Sequence, residues 1–216
     1  MKALLINGSP NEKGGTYTAL SIIADSLKEE GIESEILQLP TNPIQGCIGC
    51  FACRSVEGAR CTFEDDIVNV ILEKMEKSDA LVLGTPVYYA SPNGHLLAAL
   101  DRVFFAGSAG DMFVGKPASA ICTARRAGTT ATLDALQKYF LISGMPMVPS
   151  NYWPMVHGGS EEEVSQDEEG VQIMQLLGKN LAWMLKCFKA GDEAGVSHPQ
   201  LPGGRKRFTN FIRKLK

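Results

Sequence analysis

The chain has 216 residues, a formal net charge of −3 and 44% hydrophobic residues. This length suits one large domain with a substantial core, and the charge gives no electrostatic basis for binding nucleic acid. No run of about eighteen apolar residues is present, and the Asn-Gly-Ser-Pro break near the N-terminus comes too early for a signal peptide. We therefore expect a cytoplasmic protein that binds neither nucleic acid nor a membrane.

Hydrophobic periodicity predicts strands and helices in strict alternation along the chain. The expected strands are 2–7, 32–39, 79–84, 117–124 and 145–149. The expected helices begin near Thr16, Asp65, Asn93, Thr130 and Gln166. We place one domain at 1–190, with a cysteine-rich insertion at 46–61, and a basic C-terminal tail at 191–216.

This alternation predicts an α/β doubly wound sandwich with a parallel sheet and helices on both faces. Five strands fit the flavodoxin-like order 2-1-3-4-5 better than a six-stranded dinucleotide-binding domain. In such a sheet, ligands bind beyond the carboxyl ends of the strands, where the strand order reverses between strands 1 and 3. The loops after predicted strands 1, 3 and 4 are therefore the candidate binding loops.

The loop after predicted strand 1, Gly8–Thr18, combines glycines with hydroxyl and amide side chains. Together with the free N–H groups of the next helix, it can hold a phosphate without an arginine. The loop has neither the Walker A spacing nor the G-x-G-x-x-G pattern. A plain glycine-rich turn is the alternative interpretation.

The loop after predicted strand 3 brings Val87, Tyr88 and Tyr89 to the end of a strand. This apolar and aromatic surface suits a planar ring system, although tyrosines also serve in cores and interfaces. After predicted strand 4, Arg125 and Arg126 can neutralise a flavin or nicotinamide phosphate. An exposed charged loop is the alternative for this arginine pair.

Four of the six cysteines, Cys47, Cys50, Cys53 and Cys61, fall within sixteen residues. Short gaps suit a [4Fe–4S] cluster, but the final gap of seven and the following Thr62 depart from the bacterial ferredoxin pattern. A zinc site, a redox-active thiol pair and a metal-free loop remain open. We interpret Cys122 and Cys187 as small core residues.

The motifs "GSPNEKGGT", "TPVYY" and "LLAALDR" together resemble the NADPH-dependent FMN reductase family. The pattern C-x2-C-x2-C-x7-C…DD resembles its iron–sulfur flavoprotein branch, and the resemblance covers about residues 1–150. It implies FMN as cofactor and NAD(P)H as a donor. The implied cofactor-binding residues are Ser9, Asn11, Gly15, Thr16, Tyr17, Thr18, Pro86, Val87, Tyr88, Tyr89, Thr123, Arg125, Arg126 and Gly128. The implied cluster ligands are Cys47, Cys50, Cys53 and Cys61.

The expected function is therefore FMN-dependent electron transfer, with single electrons arriving from a ferredoxin-like partner through the cluster. One alternative is a cluster-free NAD(P)H-dependent reductase of flavin, quinone or another small molecule. Another is a non-catalytic redox or metal sensor. The chemistry centres on the flavin, so we expect no catalytic acid or base from the protein. The resemblance also implies a homodimer or homotetramer, for which Val103–Gly107 is a candidate contact.

Overall fold

The computed structural model describes residues 1–56, 58–202 and 207, so half of the predicted 191–216 tail lies outside the described residues. The strands are β1 (Lys2–Asn7), β2 (Glu33–Gln38), β3 (Ala80–Tyr88), β4 (Ser91–Pro92), β5 (Ala118–Ala124) and β6 (Met155–His157). The helices are α1 (Gly15–Glu29), α2 (Val68–Glu76), α3 (Gly94–Gly107), α4 (Thr129–Ile142), α5 (Glu161–Ser165) and α6 (Glu168–Glu193). No helix in this described part of the chain has the length and hydropathy needed to cross a bilayer.

Five parallel strands lie in the order β2-β1-β3-β5-β6, and the short β4 pairs with β3 in an antiparallel hairpin. The predicted flavodoxin-like α/β sandwich is thus confirmed. The central strands β1, β3 and β5 are buried on both faces, as a parallel sheet covered by helices requires. In β1, Leu4 and Ile6 join the core under α2, α3 and α4, whereas Ala3 and Leu5 join the core under α1 and α6.

The fifth parallel strand lies at Met155–His157, so its prediction at 145–149 is wrong. Within 145–149, Met147 forms only an isolated bridge to Ala118. The prolines at the second and last positions of this segment have no N–H to donate, which prevents a longer ladder. The chain then leaves the sheet and returns to the edge of β5 at Met155.

The core assignment of the two isolated cysteines is half right. Cys122 is fully buried in β5, as predicted, whereas Cys187 is exposed on α6. Helix α2 begins at Val68 rather than at the predicted Asp65. Its N–H at Val68 donates to Asp66 Oδ1 at 3.1 Å, so this acid does serve the start of the helix.

Candidate functional site

The carboxyl ends of β1, β3 and β5 meet where the strand order reverses. Gly8, which directly follows β1, donates its N–H to the carbonyl of Gly84 at 2.8 Å. A Cβ on Gly8 would lie 2.8 Å from Leu96 Cδ2, so only glycine allows this approach of the loop to β3 and α3. The first candidate loop is thereby fixed against the middle of the sheet.

The amide side chains of Asn7 and Gln38 hold the first loop in shape. Asn7 Oδ1 accepts from the Ser9 N–H at 3.1 Å, and Asn7 Nδ2 donates to Gln38 Oε1 at 2.5 Å. Gln38 Nε2 in turn donates to the Ser9 carbonyl at 2.7 Å. Ser9 Oγ accepts from the Asn11 N–H at 3.1 Å, and this local hydrogen bond stabilises the turn of the loop.

A second amide ties this loop to the β3–β4 hairpin. Asn93 Nδ2 donates to the Gly8 carbonyl at 3.1 Å, and the Asn93 N–H donates to Thr85 Oγ1 at 3.0 Å. The same residue caps α3, since its Oδ1 accepts from the His95 N–H at 2.8 Å. Sequence reasoning missed Asn7, Gln38 and Asn93; a polar residue at the end of an apolar strand or before a helix was the available signal.

Thr123, which lies beside the first turn of α1, carries an unpaired hydroxyl. Thr123 Oγ1 is the one buried side-chain polar atom without a hydrogen-bond partner among the described residues. A Cβ added to Gly15 would lie 3.0 Å from Thr123 Cγ2 and 2.9 Å from the Gly158 carbonyl, so this threonine stands beside the first turn of α1. The N-cap, Gly14, forms no side-chain cap bond, and the first turn carries no acid. An unpaired donor beside a helix N-terminus fits an anionic group such as the FMN phosphate.

The other two candidate loops enclose a cleft of about 470 Å³. Tyr89 and Ala90 turn the β3–β4 hairpin with φ angles of 53° and 56°, and Tyr89 is fully exposed. Gly128 packs against this turn, because a Cβ there would lie 2.8 Å from the Ala90 Cα. The cleft is lined by Val87, Tyr89, Ala90, Ala124, Arg125, Arg126, Ala127 and Gly128. Its apolar walls and exposed arginines suit a planar, partly anionic ligand.

The structure places the predicted cofactor-binding residues at these three loops, with different accessibilities. Ser9, Gly15, Thr16 and Thr123 are buried, whereas Asn11, Tyr88 and both arginines are exposed. The Thr18 hydroxyl donates to the Gly14 carbonyl at 3.3 Å and is thus engaged within α1. The turn at 158–159 also reaches this site, since the Gly15 N–H donates to the Gly159 carbonyl at 3.4 Å. Sequence reasoning missed that turn.

The four clustered cysteines line one small cavity of about 20 Å³. Cys47 and Cys50 are exposed, Cys61 is partly buried, and Cys53 is buried in the middle of the short 3₁₀ turn Ala52–Arg54. The remaining lining is mostly apolar: Ile48, Phe51, Thr62, Phe63, Arg102, Phe105 and Ala106. Burial raises the pKa of the Cys53 thiol, against the weaker opposing charge of Arg54. In the described ranges no three His, Cys, Asp or Glu side chains are arranged to hold a single metal ion.

Arg102 closes the inner wall of this cavity from α3. Its Nε donates to Cys61 Sγ at 3.3 Å, and its guanidinium pairs with the buried Asp66. Burial opposes its charge, but the hydrogen bonds to Asp66 and Cys61 raise the pKa of Arg102 overall. Sequence reasoning gave Arg102 no role, although an arginine on the buried face of an amphipathic helix was a visible signal.

The predicted oligomer contact at Val103–Gly107 is mostly interior. Val103, Phe104, Ala106 and Gly107 are buried within the chain. Phe105 is partly exposed and packs edge-on against Phe51, with ring centroids 5.5 Å apart. This stretch therefore forms core and one wall of the cysteine cavity, and it offers little surface for a second copy.

The chain combines a flavodoxin-like sheet with a loop rich in glycine and hydroxyl side chains and a cleft lined by Tyr89, both at the switch point. This arrangement is typical of the proteins of this fold that bind a flavin. A family model for NADPH-dependent FMN reductases matches residues 1–160. An iron–sulfur flavoprotein of Methanocaldococcus jannaschii is 32% identical over 196 residues, covering 88% of this chain and 100% of its own length. An FMN-dependent NADPH-azoreductase of Staphylococcus aureus is 30% identical over 103 residues, covering 48% of this chain and 52% of its own.

Among solved structures, a flavodoxin from the domain Archaea superposes with a TM-score of 0.58 at 12% identity. The match covers 86% of this chain and 99% of that one, and at this identity it supports the fold alone. The chain belongs to the NADPH-dependent FMN reductase family. It is accordingly a flavin-dependent oxidoreductase.

Proposed function

We propose that the protein transfers electrons between FMN, bound at the switch-point crevice, and a [4Fe–4S] cluster held by the cysteine loop. The observation that carries the electron path is that four cysteines from one short stretch line a single cavity, whereas Cys122 and Cys187 do not reach it. When bound, FMN supplies both one- and two-electron redox chemistry, and the cluster supplies one-electron transfer. No side chain is assigned as a catalytic acid or base.

In this proposal the first turn of α1 and the Gly8–Thr18 loop bind the FMN phosphate through backbone N–H groups and the Ser9, Thr16 and Thr123 hydroxyls. Asn11, Gly15, Tyr17 and Thr18 complete that loop. The isoalloxazine lies in the cleft between the hairpin and the loop after β5. Its neighbours there are Pro86, Val87, Tyr88, Tyr89, Arg125, Arg126 and Gly128.

Thr123→Val tests the flavin site. The substitution removes the unpaired hydroxyl, so the flavin-free chain should be no less stable, whereas a hydroxyl that binds phosphate is lost. We expect about tenfold weaker FMN binding in a fluorescence titration, the order of one lost hydrogen bond to a charged group. Thr132→Val, which removes a hydroxyl already bonded to the Gly128 carbonyl at 2.9 Å, is the control. Equal FMN affinity in wild type and Thr123→Val would remove Thr123 from the site.

The cysteine loop fits a cluster by its donor set. Cys47, Cys50, Cys53 and Cys61 supply four thiols, the number that a [4Fe–4S] cluster takes. The cavity of about 20 Å³ has room for about one water molecule. Cluster binding therefore requires the loop to move outward. Cys47 and Cys50 lie outside regular secondary structure, so their movement breaks no helix or strand.

Anaerobic purification with flavin, iron and sulfide assays tests the electron path. We expect flavin bands together with about four irons and four sulfides per chain, before or after reconstitution with iron and sulfide. Cluster-loaded protein should accept electrons from a reduced ferredoxin faster than from NADPH. Protein that binds FMN but takes up no iron after reconstitution would overturn the cluster and leave the flavin site standing.

A cluster-free NAD(P)H-dependent reductase of flavin, quinone or a similar acceptor is the second candidate. The small size of the cysteine cavity favours it, as does the similarity to an enzyme named as an NADPH-azoreductase. This function predicts NADPH oxidation by iron-free protein. We also propose that the protein is cytoplasmic and forms a homodimer or homotetramer. Light scattering of the flavin-loaded chain measures the assembly state.

A further inference from the structure

Arg102 is the largest of the fully buried side chains, with 2% of its surface exposed. It lies on α3, the helix that Asn93 caps at the flavin loop, and its side chain ends at the cysteine cavity. One rigid element therefore carries both the anchor of the flavin loop and the only arginine lining the cysteine cavity among the described residues.

The guanidinium of Arg102 is bound on several sides by the cysteine segment. Nε donates to Cys61 Sγ at 3.3 Å, Nη1 to the Gln45 carbonyl at 3.1 Å, and Nη2 to the Phe63 carbonyl at 3.1 Å. Nη1 also donates to the Asp66 carboxylate. The two carbonyl contacts lie on either side of the four cysteines in the chain, so Arg102 fastens both ends of the loop to α3.

This arrangement would affect the reduction potential of a bound cluster in two ways. A hydrogen bond to a ligand sulfur, like a nearby positive charge, favours the reduced and more negative state. Asp66 offsets part of that charge and supplies the counterion that a buried arginine requires. The arginine and the carboxylate should therefore move a reduction potential in opposite directions.

Building on the electron path proposed above, we propose that Arg102 is a positioning residue that holds Cys61 at the cysteine cavity and makes a cluster bound there easier to reduce. Arg60, next to Cys61 in the chain, gives a matched comparison, since it is exposed and pairs with Glu73 at 3.0 Å.

The test is a spectroelectrochemical titration of reconstituted protein, with the flavin couple recorded in the same sample. In R102Q/D66N the two charge changes offset each other, and the loss of the Arg102 Nε–H hydrogen bond to Cys61 Sγ remains. The reduced-to-oxidised ratio of the cluster at a fixed potential should therefore fall by up to about tenfold, or 59 mV for one electron. In D66N, which keeps the arginine, that ratio should rise. R102K should fall between wild type and R102Q/D66N, and R60Q should match wild type. The effect of Arg102 on the reduction potential of the cluster is its electronic role, and equal potentials in wild type, D66N and R102Q/D66N would overturn it.

Amide hydrogen exchange of the iron-free, flavin-loaded chain tests the positioning role separately. The Cys61 N–H donates to Asn69 Oδ1 at 2.8 Å, so its exchange reports whether the segment stays in place. Exchange at Cys61 should be faster in R102K and unchanged in R60Q; unchanged exchange in R102K would overturn positioning. A wild type that takes up no iron overturns the electron path and the electronic role together, while the exchange result still decides whether Arg102 positions Cys61.

Discussion

Gly15 and Gly94 occupy the same position in their helices but different surroundings. Each is the first residue of its helix, and a Cβ on Gly15 would lie 2.9 Å from the Gly158 carbonyl, whereas a Cβ on Gly94 meets nothing within 4 Å. Gly15→Ala should lower the free energy of unfolding by about 1–3 kcal/mol through overpacking. Gly94→Ala should leave it unchanged or raise it by up to about 1 kcal/mol. Urea unfolding of both variants measures this, and equal values would contradict the close packing at Gly15.

The buried thiol of Cys122 predicts a loss of stability in alkali. Burial raises its pKa from 9.0 to about 12, so the stability from keeping the thiol neutral is complete below pH 9 and is lost as the pH rises toward 12. The full effect is at most about 4 kcal/mol. We expect Cys122→Ala to flatten the fall in unfolding free energy between about pH 9 and pH 10. The pKa of Tyr139 is also raised by burial, so the comparison should stop near pH 10, where that tyrosine begins to contribute.

Cys187→Ala is the control for this titration, because Cys187 is exposed on α6 and should leave the slope unchanged. An identical pH slope in wild type and Cys122→Ala would contradict the assigned burial effect. The same pair shows a limit of sequence reasoning at single residues. Both cysteines lie in apolar stretches, but only the strand residue faces the core, since α6 turns Cys187 outward.

At the scale of elements, the hairpin between β3 and β4 carries two residues in an unfavourable conformation. Left-handed φ angles cost an ordinary L-residue about 1–2 kcal/mol, and asparagine tolerates them better. Tyr89→Asn should therefore raise the stability of the flavin-free chain by up to about 1 kcal/mol. If Tyr89 covers the flavin as proposed, FMN affinity should fall about two- to tenfold, the range of one aromatic stacking contact.

Tyr88→Asn is the matched control for the hairpin, since Tyr88 belongs to β3 and has no such strain. It should lose up to about 1 kcal/mol, because asparagine is unfavourable in a strand. Chemical unfolding of the two variants separates relief of strain from the loss of a strand residue, and FMN titration of Tyr89→Asn measures the stacking contact. A Tyr89→Asn chain that is less stable than wild type would show that the tyrosine's contacts outweigh the strain.

Helices were predictable from the sequence where apolar residues repeat along one helical face, and strands where the apolar residues form a continuous run. Strands β1, β3 and β5 are short apolar runs buried on both sides, so their positions followed from the sequence, although β3 continues four residues beyond its predicted end. The last parallel strand was not predictable in this way. It is only three residues long, and its pairing depends on how a proline-interrupted segment loops back to β5.

Across the whole molecule, the sequence predicted the candidate loops better than their connections. Glycine, hydroxyl and cysteine patterns marked the three loops and the cysteine segment, because their chemistry is local. The residues that join these loops are Asn7, Asn93 and Arg102, which contact partners 31 to 85 residues away in the chain. Such contacts depend on the tertiary fold, and no spacing rule within one sequence reveals them.

The cysteine cavity and the flavin cleft have no lining residue in common. We therefore expect FMN binding to survive the loss of a cysteine ligand. Cys47 is exposed on the outer side of its cavity, and neither its thiol nor its neighbours line the flavin cleft. Cys47→Ala should therefore keep its thermal unfolding midpoint and its FMN affinity while its iron content after reconstitution falls by at least half. Cys187→Ala, also exposed but distant from the cavity, should retain both cofactors. Loss of FMN from Cys47→Ala would show that the cysteine loop is part of the flavin site, and full iron content in that variant would remove Cys47 from the ligand set.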